Sequence, residues 1–308
     1  MKKLNGLRAV EFNCRETVWR IYNKPEGFEI VDVIEPYEQR RDVDLFHECG
    51  VYGKTGMPYE VFEIDPDTAP LKPYQGVLKQ FSDLVCEGIR KGEAVLVPTG
   101  FCMYAPAVAG GIQRAIGKDK TIGVVWIDAH CDNRVAEEAE MTRFVGIPVS
   151  TMVGQTFESW RKEYCGLEVP VSGKNLIASD IRVIDEHCLK NMLDAEIVHL
   201  TAADFKNEAV WKDAIGKLAE RVDAIYLSVD MDILHNSLTP AYIKCVPGGH
   251  TLETVTRNVR IVMETGKVLA FSLFCADFDR YENGGELTYQ SAMKIISAGL
   301  ENWKDLPL

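Results

Sequence analysis

Apolar positions along the chain fall into two rhythms. From Gln75, residues Val77, Leu78, Phe81, Leu84, Val85 and Ile89 recur at the spacing of one helix face, and Gly92 stops that helix before the strand-like run Ala94-Val95-Leu96-Val97. A small-residue segment from Ala105 to Gly111 and a helix-like Ile112 to Ile116 follow. They lead into Ile122, Val124, Val125, Trp126 and Ile127, a run without polar alternation that predicts a strand buried on both faces. Downstream, strands are expected at Asn175 to Ala178, Ile197 to Leu200, Ala224 to Val229 and Val268 to Cys275. Helices are expected at Ile184 to Leu193, Ala209 to Val222, Thr251 to Thr265 and Leu287 to Leu300. Repeated βα alternation predicts an α/β fold with a mostly parallel sheet, helices on both faces, and ligands bound beyond the carboxyl ends of the strands. Residues 1 to about 70 give only short strands and loops, such as Phe28-Glu29-Ile30-Val31-Asp32-Val33-Ile34, among frequent prolines. No low-complexity tract, repeat or linker divides the chain, so residues 1–308 are expected to form a single domain.

Two of the buried strands run directly into acid. The first ends in Asp128-Ala129-His130-Cys131-Asp132 and the second in Asp230-Met231-Asp232. If the extended geometry persists, alternate residues point the same way, so Asp128, His130 and Asp132 converge beyond the strand end. Taken alone, the first motif is also compatible with a polar loop that caps a following helix. A parallel sheet, however, brings both motifs to one edge and gathers Asp128, His130, Asp132, Asp230 and Asp232. Four carboxylates brought together without cations repel one another and resist ionisation, which one metal ion, or more economically two, explains. Carboxylate with imidazole suits Mn, Fe, Co, Ni or Zn.

Composition narrows the partners. With 34 basic and 46 acidic side chains the formal net charge is -12, which disfavours nucleic acid or an anionic membrane and suits a small cationic substrate. No apolar run approaches a membrane-spanning length, and Met1-Lys2-Lys3-Leu4-Asn5 leads into no signal-like apolar core, so a cytoplasmic protein is expected. The nine cysteines are scattered and never spaced Cys-x-x-Cys, which indicates neither a disulfide framework nor a zinc finger.

In these motifs the chain resembles the ureohydrolase superfamily of arginase, agmatinase and formimidoylglutamase, whose pattern is Gly-Gly-Asp-His, then Asp-Ala-His-x-Asp, then Ser-x-Asp-x-Asp with Pro-Ala shortly after. Here the second motif is intact at Asp128 to Asp132. The third is Ser228-Val229-Asp230-Met231-Asp232, followed by Thr239-Pro240-Ala241 and Pro247-Gly248-Gly249. The resemblance runs from about Val95 to the C-terminus. It implies an arginase-like three-layer αβα sandwich carrying two divalent ions, manganese by family, with a metal-bridging hydroxide that attacks a guanidinium or amidine carbon. Asp128 and Asp230 would then bridge the ions, Asp132 would complete one site, and His130 with Asp232 the other. Family analogy also implies a homo-oligomer.

Several positions depart from the pattern. Thr99-Gly100-Phe101-Cys102 stands where the family has Gly-Gly-Asp-His, so Cys102 replaces a histidine ligand. As a thiolate it would draw the site toward Zn, Fe or Co; otherwise it is a buried thiol beside a weakened site. In Phe144-Val145-Gly146-Ile147-Pro148, Val145 replaces the family's proton-transferring histidine and cannot carry a proton. Asp277 stands where the family has a glutamate facing the substrate's guanidinium, and it can still pair a cationic head group. Ser179-Asp180-Ile181-Arg182 poorly matches the arginase amino-acid clamp, so ordinary arginine is not the expected substrate. Arg182 and Arg143 could face an anionic tail or be paired structurally. His235 is a candidate substitute proton carrier or a hydrogen-bond partner behind the ligands, and His250 either reaches the pocket or caps a helix. The expected function is metal-dependent hydrolysis of a C–N bond in a linear amidine or guanidino compound. The alternatives are a non-catalytic family member with one metal or none, acting in ligand binding or regulation, and a deacetylase-like amidohydrolase.

Overall fold

The computed structural model describes residues 3–12, 17–34, 46, 49–98, 100–241, 246–276 and 284–305. Its strands are β1 (Gly6–Glu11), β2 (Thr17–Lys24), β3 (Gly27–Ile34), β4 (Tyr59–Glu63), β5 (Glu93–Val97) and β6 (Ile122–Ile127). They continue with β7 (Met141–Arg143), β8 (Leu176–Ser179), β9 (Val198–Leu200), β10 (Ala224–Asp230) and β11 (Val268–Phe274). Eight of these form one sheet in the order β4-β1-β5-β11-β10-β6-β8-β9, and among the described residues every pairing in it is parallel. Helices α1 (Pro73–Lys91), α2 (Ala105–Ile116), α3 (Pro148–Met152), α4 (Glu158–Glu163) and α5 (Glu186–Asp194) pack around it. So do α6 (Ala202–Lys206), α7 (Glu208–Arg221), α8 (Leu252–Met263) and α9 (Gly285–Leu300). The result is the three-layer αβα sandwich that the βα rhythm predicts. No described helix is long and apolar enough to cross a membrane.

The central strands explain their own sequence. Every residue of β6, β10 and β11 is buried, so each reads as a mostly apolar run rather than an alternating one. Register then positions the chemistry. Val229 pairs with Ile127, which sets Asp230 and Asp128 side by side just past the strand pair, and Asp230 pairs with Phe274, which sets Cys275 one step beyond on the other side. Because β11 lies between β5 and β10, the loops after β5, β11, β10 and β6 meet along one edge of the sheet.

Two expectations change. The stretch Ala105 to Ile116 is one helix, with the small residues inside it rather than before it. Its glycines are there for close approach: a Cβ on Gly110 would stand 1.8 Å from the Cys165 carbonyl oxygen, and one on Gly111 2.6 Å from the Val85 Cβ. In the N-terminal region, β2 and β3 form an antiparallel hairpin that β7 extends into a three-stranded sheet of order β3-β2-β7.

Candidate metal centre

Beyond the carboxyl edge the chain gathers two sets of donor atoms. Those of Asp128, His130 and Asp232 lie within 4.8 Å of one another, and so do those of Cys102, Asp230 and Cys275. Local geometry holds each in place. The Asp128 side chain accepts from the His130 backbone N–H at 2.6 Å, the Asp230 side chain accepts from the Asp232 N–H at 3.0 Å, and Asp232 accepts from the Ala129 N–H at 3.0 Å. Arg182 braces the same loops: its backbone N–H donates to the Ala129 carbonyl and its guanidinium to the Asp232 carbonyl, each at 2.8 Å. Cys102 begins a short 3-10 turn, Cys102–Tyr104, after β5, and its thiol donates to the Val145 carbonyl at 3.5 Å.

The buried acids of this cluster crowd one another. Burial first, and then the Asp232 charge with its acidic neighbours, pushes the Asp128 and Asp230 carboxyls well above their usual range. Burial likewise raises Asp132 to about 6. Although burial works against it, the carboxylates of Asp128 and Asp232 push His130 up to about 12. His130 Nδ1 stands 2.6 Å from Asp232 Oδ2, yet that contact lacks hydrogen-bond alignment, and Oδ2 has no hydrogen-bond partner. Asp128 Oδ2 is also buried without one. Orphaned buried carboxylate oxygens, an imidazole nitrogen and two thiols fit divalent cations: donor atoms around one such ion stand ~3–4 Å apart, which both sets can accommodate.

The other sequence-selected residues are distributed unevenly. Asp132 is buried and neighbours Cys102 and Asp128, but it belongs to neither set. The strand ends at Ile127 and Asp132 takes φ +45°, so strict extended alternation does not carry through to it. His235 is exposed; its Nδ1 accepts from the Ser237 N–H at 3.2 Å and lies 2.8 Å from the Ser237 hydroxyl, which ties the ring to a turn. His250 is buried 3.1 Å from Asp180, but burial and the Arg182 charge hold its pKa down to about 4, so at neutral pH this contact is not an ion pair. Arg182 pairs with the fully buried Asp180, a structural use of that cation. Arg143 lies on β7 against β2. Asp277 and Thr99 lie outside the described residues.

Sequence reading passed over Cys275. Its thiol donates to Asp230 and contacts the Cys102 thiol, and its backbone N–H donates to the Gly100 carbonyl at 2.8 Å. The available signal was positional: Cys275 follows a fully buried strand, just as Asp128 follows β6.

A parallel α/β sheet with carboxylate, imidazole and thiol donors gathered beyond its carboxyl edge defines a protein of the candidate metal-site class. The arginase-family model matches residues 30–298, and the chain belongs to the arginase family. It is 24% identical over 310 residues to the arginase of Emericella nidulans, covering 96% of this chain and 93% of that one. In structure it resembles the arginase of Entamoeba histolytica, solved in complex with L-ornithine, with TM-score 0.77 and 17% identity, covering 97% of this chain and 99% of that one. It also resembles the formimidoylglutamase of Bacillus subtilis, with TM-score 0.71 and 15% identity, covering 97% and 87%. At these identities the structural likeness establishes the fold.

Proposed function

We propose that the chain is a ureohydrolase-type metallohydrolase that cleaves a C–N bond of a linear guanidino or amidine compound other than ordinary arginine. The observation that carries this reading is the pair of donor sets: orphaned Asp128 and Asp232 oxygens beside the His130 imidazole, and two thiols beside Asp230. Two divalent ions held by Asp128, His130, Asp232, Cys102 and Asp230, with Asp132 adjoining, would supply an acidified water and positive charge for the developing tetrahedral centre. Manganese is the family expectation, and the thiols favour Zn, Fe or Co.

The chain's own residues set the rest. Asp128, Asp230 and Asp232 are each fixed by a backbone N–H donor, and the unpartnered Oδ2 atoms of Asp128 and Asp232 are thereby pre-positioned. We assign Asp277 to pairing the substrate's cationic head group; His235, whose exposed ring is held by the Ser237 turn, is the candidate to carry the proton that Val145 cannot, or a hydrogen-bond partner only. The reading against arginine rests on the clamp positions, where Ser179-Asp180-Ile181-Arg182 departs from the arginase pattern and the buried Asp180 is paired with Arg182. We further take residues 1–308 to act as one domain in a cytoplasmic homo-oligomer, and the net charge of -12 to favour a cationic substrate.

The test is urea or ammonia release by metal-loaded protein across a panel of guanidino and amidine compounds, with arginine and acetylated amines included. Turnover of a non-arginine guanidino or amidine compound supports the proposal. Deacetylation alone, or no turnover by protein carrying two ions, overturns it. The non-catalytic reading draws on the loss of both histidines, at Cys102 and Val145. Gain of turnover in Cys102→His would favour it, whereas loss of existing activity would favour a specialised enzyme.

A further inference from the structure

We propose that the two metal positions are chemically unlike: Cys102, Cys275 and Asp230 form a dithiolate-carboxylate site for a thiophilic divalent ion, beside an oxygen- and nitrogen-donor site at Asp128, His130 and Asp232. This rests on the metal-binding reading above and adds Cys275 as a ligand, together with the kind of ion that it selects.

Topology produces the asymmetry. β5, β11 and β10 are consecutive neighbours in the sheet, and each delivers one donor from its carboxyl end: Cys102 from the turn after β5, Cys275 directly after β11, and Asp230 as the last residue of β10. Asp128 and His130 come from the end of β6, on the far side of β10, and Asp232 from the turn after β10. The soft donors therefore cluster on one side of β10 and the harder ones on the other. All three residues of the thiol set are buried, and their donor atoms lie within 4.8 Å of one another.

The thiol set is also distinct from the molecule's other buried cysteines. Cys131 and Cys188 contact each other, and Cys86 and Cys165 are buried as well, but none of these four joins a carboxylate-bearing donor set among the described residues. Two thiolates and a carboxylate make a strong binding set for Zn(II), Co(II) or Fe(II) and a poor one for Mn(II) or Mg(II), because soft sulfur donors discriminate against ions that prefer oxygen. On binding, each thiol releases its proton to solvent and the sulfur lone pair becomes the metal bond, so no oxidant is required.

The test is cobalt substitution of the full chain, followed by absorption spectroscopy and metal analysis. The expected spectrum contains a sulfur-to-cobalt charge-transfer band that falls to roughly half in Cys102→Ser and in Cys275→Ser and disappears in the double variant, as two equivalent thiolate ligands require. Cys131→Ser, which removes a nearby buried thiol outside the set, leaves the band intact, and circular dichroism verifies the fold of each variant. Two bound cobalt ions without a charge-transfer band would overturn this proposal while sparing the binuclear reading. A band unchanged in Cys275→Ser would overturn the role given to that residue. Failure to bind cobalt or zinc would overturn both readings.

Discussion

Removing the metal ions should reverse the pH dependence of stability that the site contributes. Asp132, 8% exposed, is raised from 3.8 to about 6 in the metal-free fold. A raised carboxyl pKa means that the folded state holds the proton more tightly than the unfolded one. Stability is therefore unaffected by this group below about pH 4 and declines as pH rises from about 4 to about 6. At ~1.4 kcal/mol per unit, the shift of about two units costs ~3 kcal/mol above that window. Asp128 and Asp230 are displaced in the same direction. His130, raised from 6.5 to about 12, stabilises the metal-free fold fully below its unfolded value and progressively less as pH climbs above it, which gives a slope of the same sign. In the loaded protein the ligands are deprotonated and protons compete with metal, so the site's contribution rises with pH instead. The assay is thermal unfolding of chelator-stripped and reloaded protein from acid to neutral pH. Groups away from the site, such as the lowered carboxyls of Asp83 and Asp185, contribute equally to both samples and cancel in the difference. The gap between melting temperatures should widen by roughly 5 °C or more toward neutral pH. Parallel curves, or no effect of chelation, would refute the reasoning.

Asp128→Asn should remove one of two bound ions and leave the thiol-bound one, as read by metal analysis after dialysis; loss of neither ion would count against the donor assignment. Arg182→Met strips the buried Asp180 of its cation and should cost ~3 kcal/mol in chemical denaturation. In the same variant the His250 pKa should rise from about 4, because the Arg182 charge that helps to lower it is gone and Asp180, 3.1 Å away, loses its cation; an NMR titration would read this. Gly249→Ala places a Cβ 2.5 Å from the Leu234 carbonyl oxygen at a φ of +96°, and should destabilise by ~2–3 kcal/mol; a urea midpoint equal to that of the parent protein would contradict the steric account.

What could be read without coordinates follows from burial. β6, β10 and β11 are covered on both faces, so their sequences are mostly apolar runs, broken only by Ser228 and Ser272, and the acids at the ends of β6 and β10 stand out by contrast. The same logic concealed Cys275. A cysteine after an apolar strand reads as one more small buried residue, and only the position of β11 between β5 and β10 turns it toward Cys102 and Asp230. The left-handed backbone at Asp132 was invisible because it arises from the turn after β6 rather than from residue type. Gly110 and Gly111 masked the start of α2 because their low helix propensity is overridden by packing against Cys165 and Val85. The β2–β3–β7 sheet was only partly legible: Phe28 to Ile34 alternates as a strand should, whereas the three-residue β7 carries too short a pattern to recognise.

The central claim is that the carboxyl edge of the sheet is a two-ion centre, and anomalous diffraction from crystals of the metal-loaded protein tests it most directly. Two anomalous peaks are predicted, one bounded by Asp128, His130 and Asp232 and the other by Cys102, Asp230 and Cys275. A loaded crystal with no peak at either set of donors would contradict it.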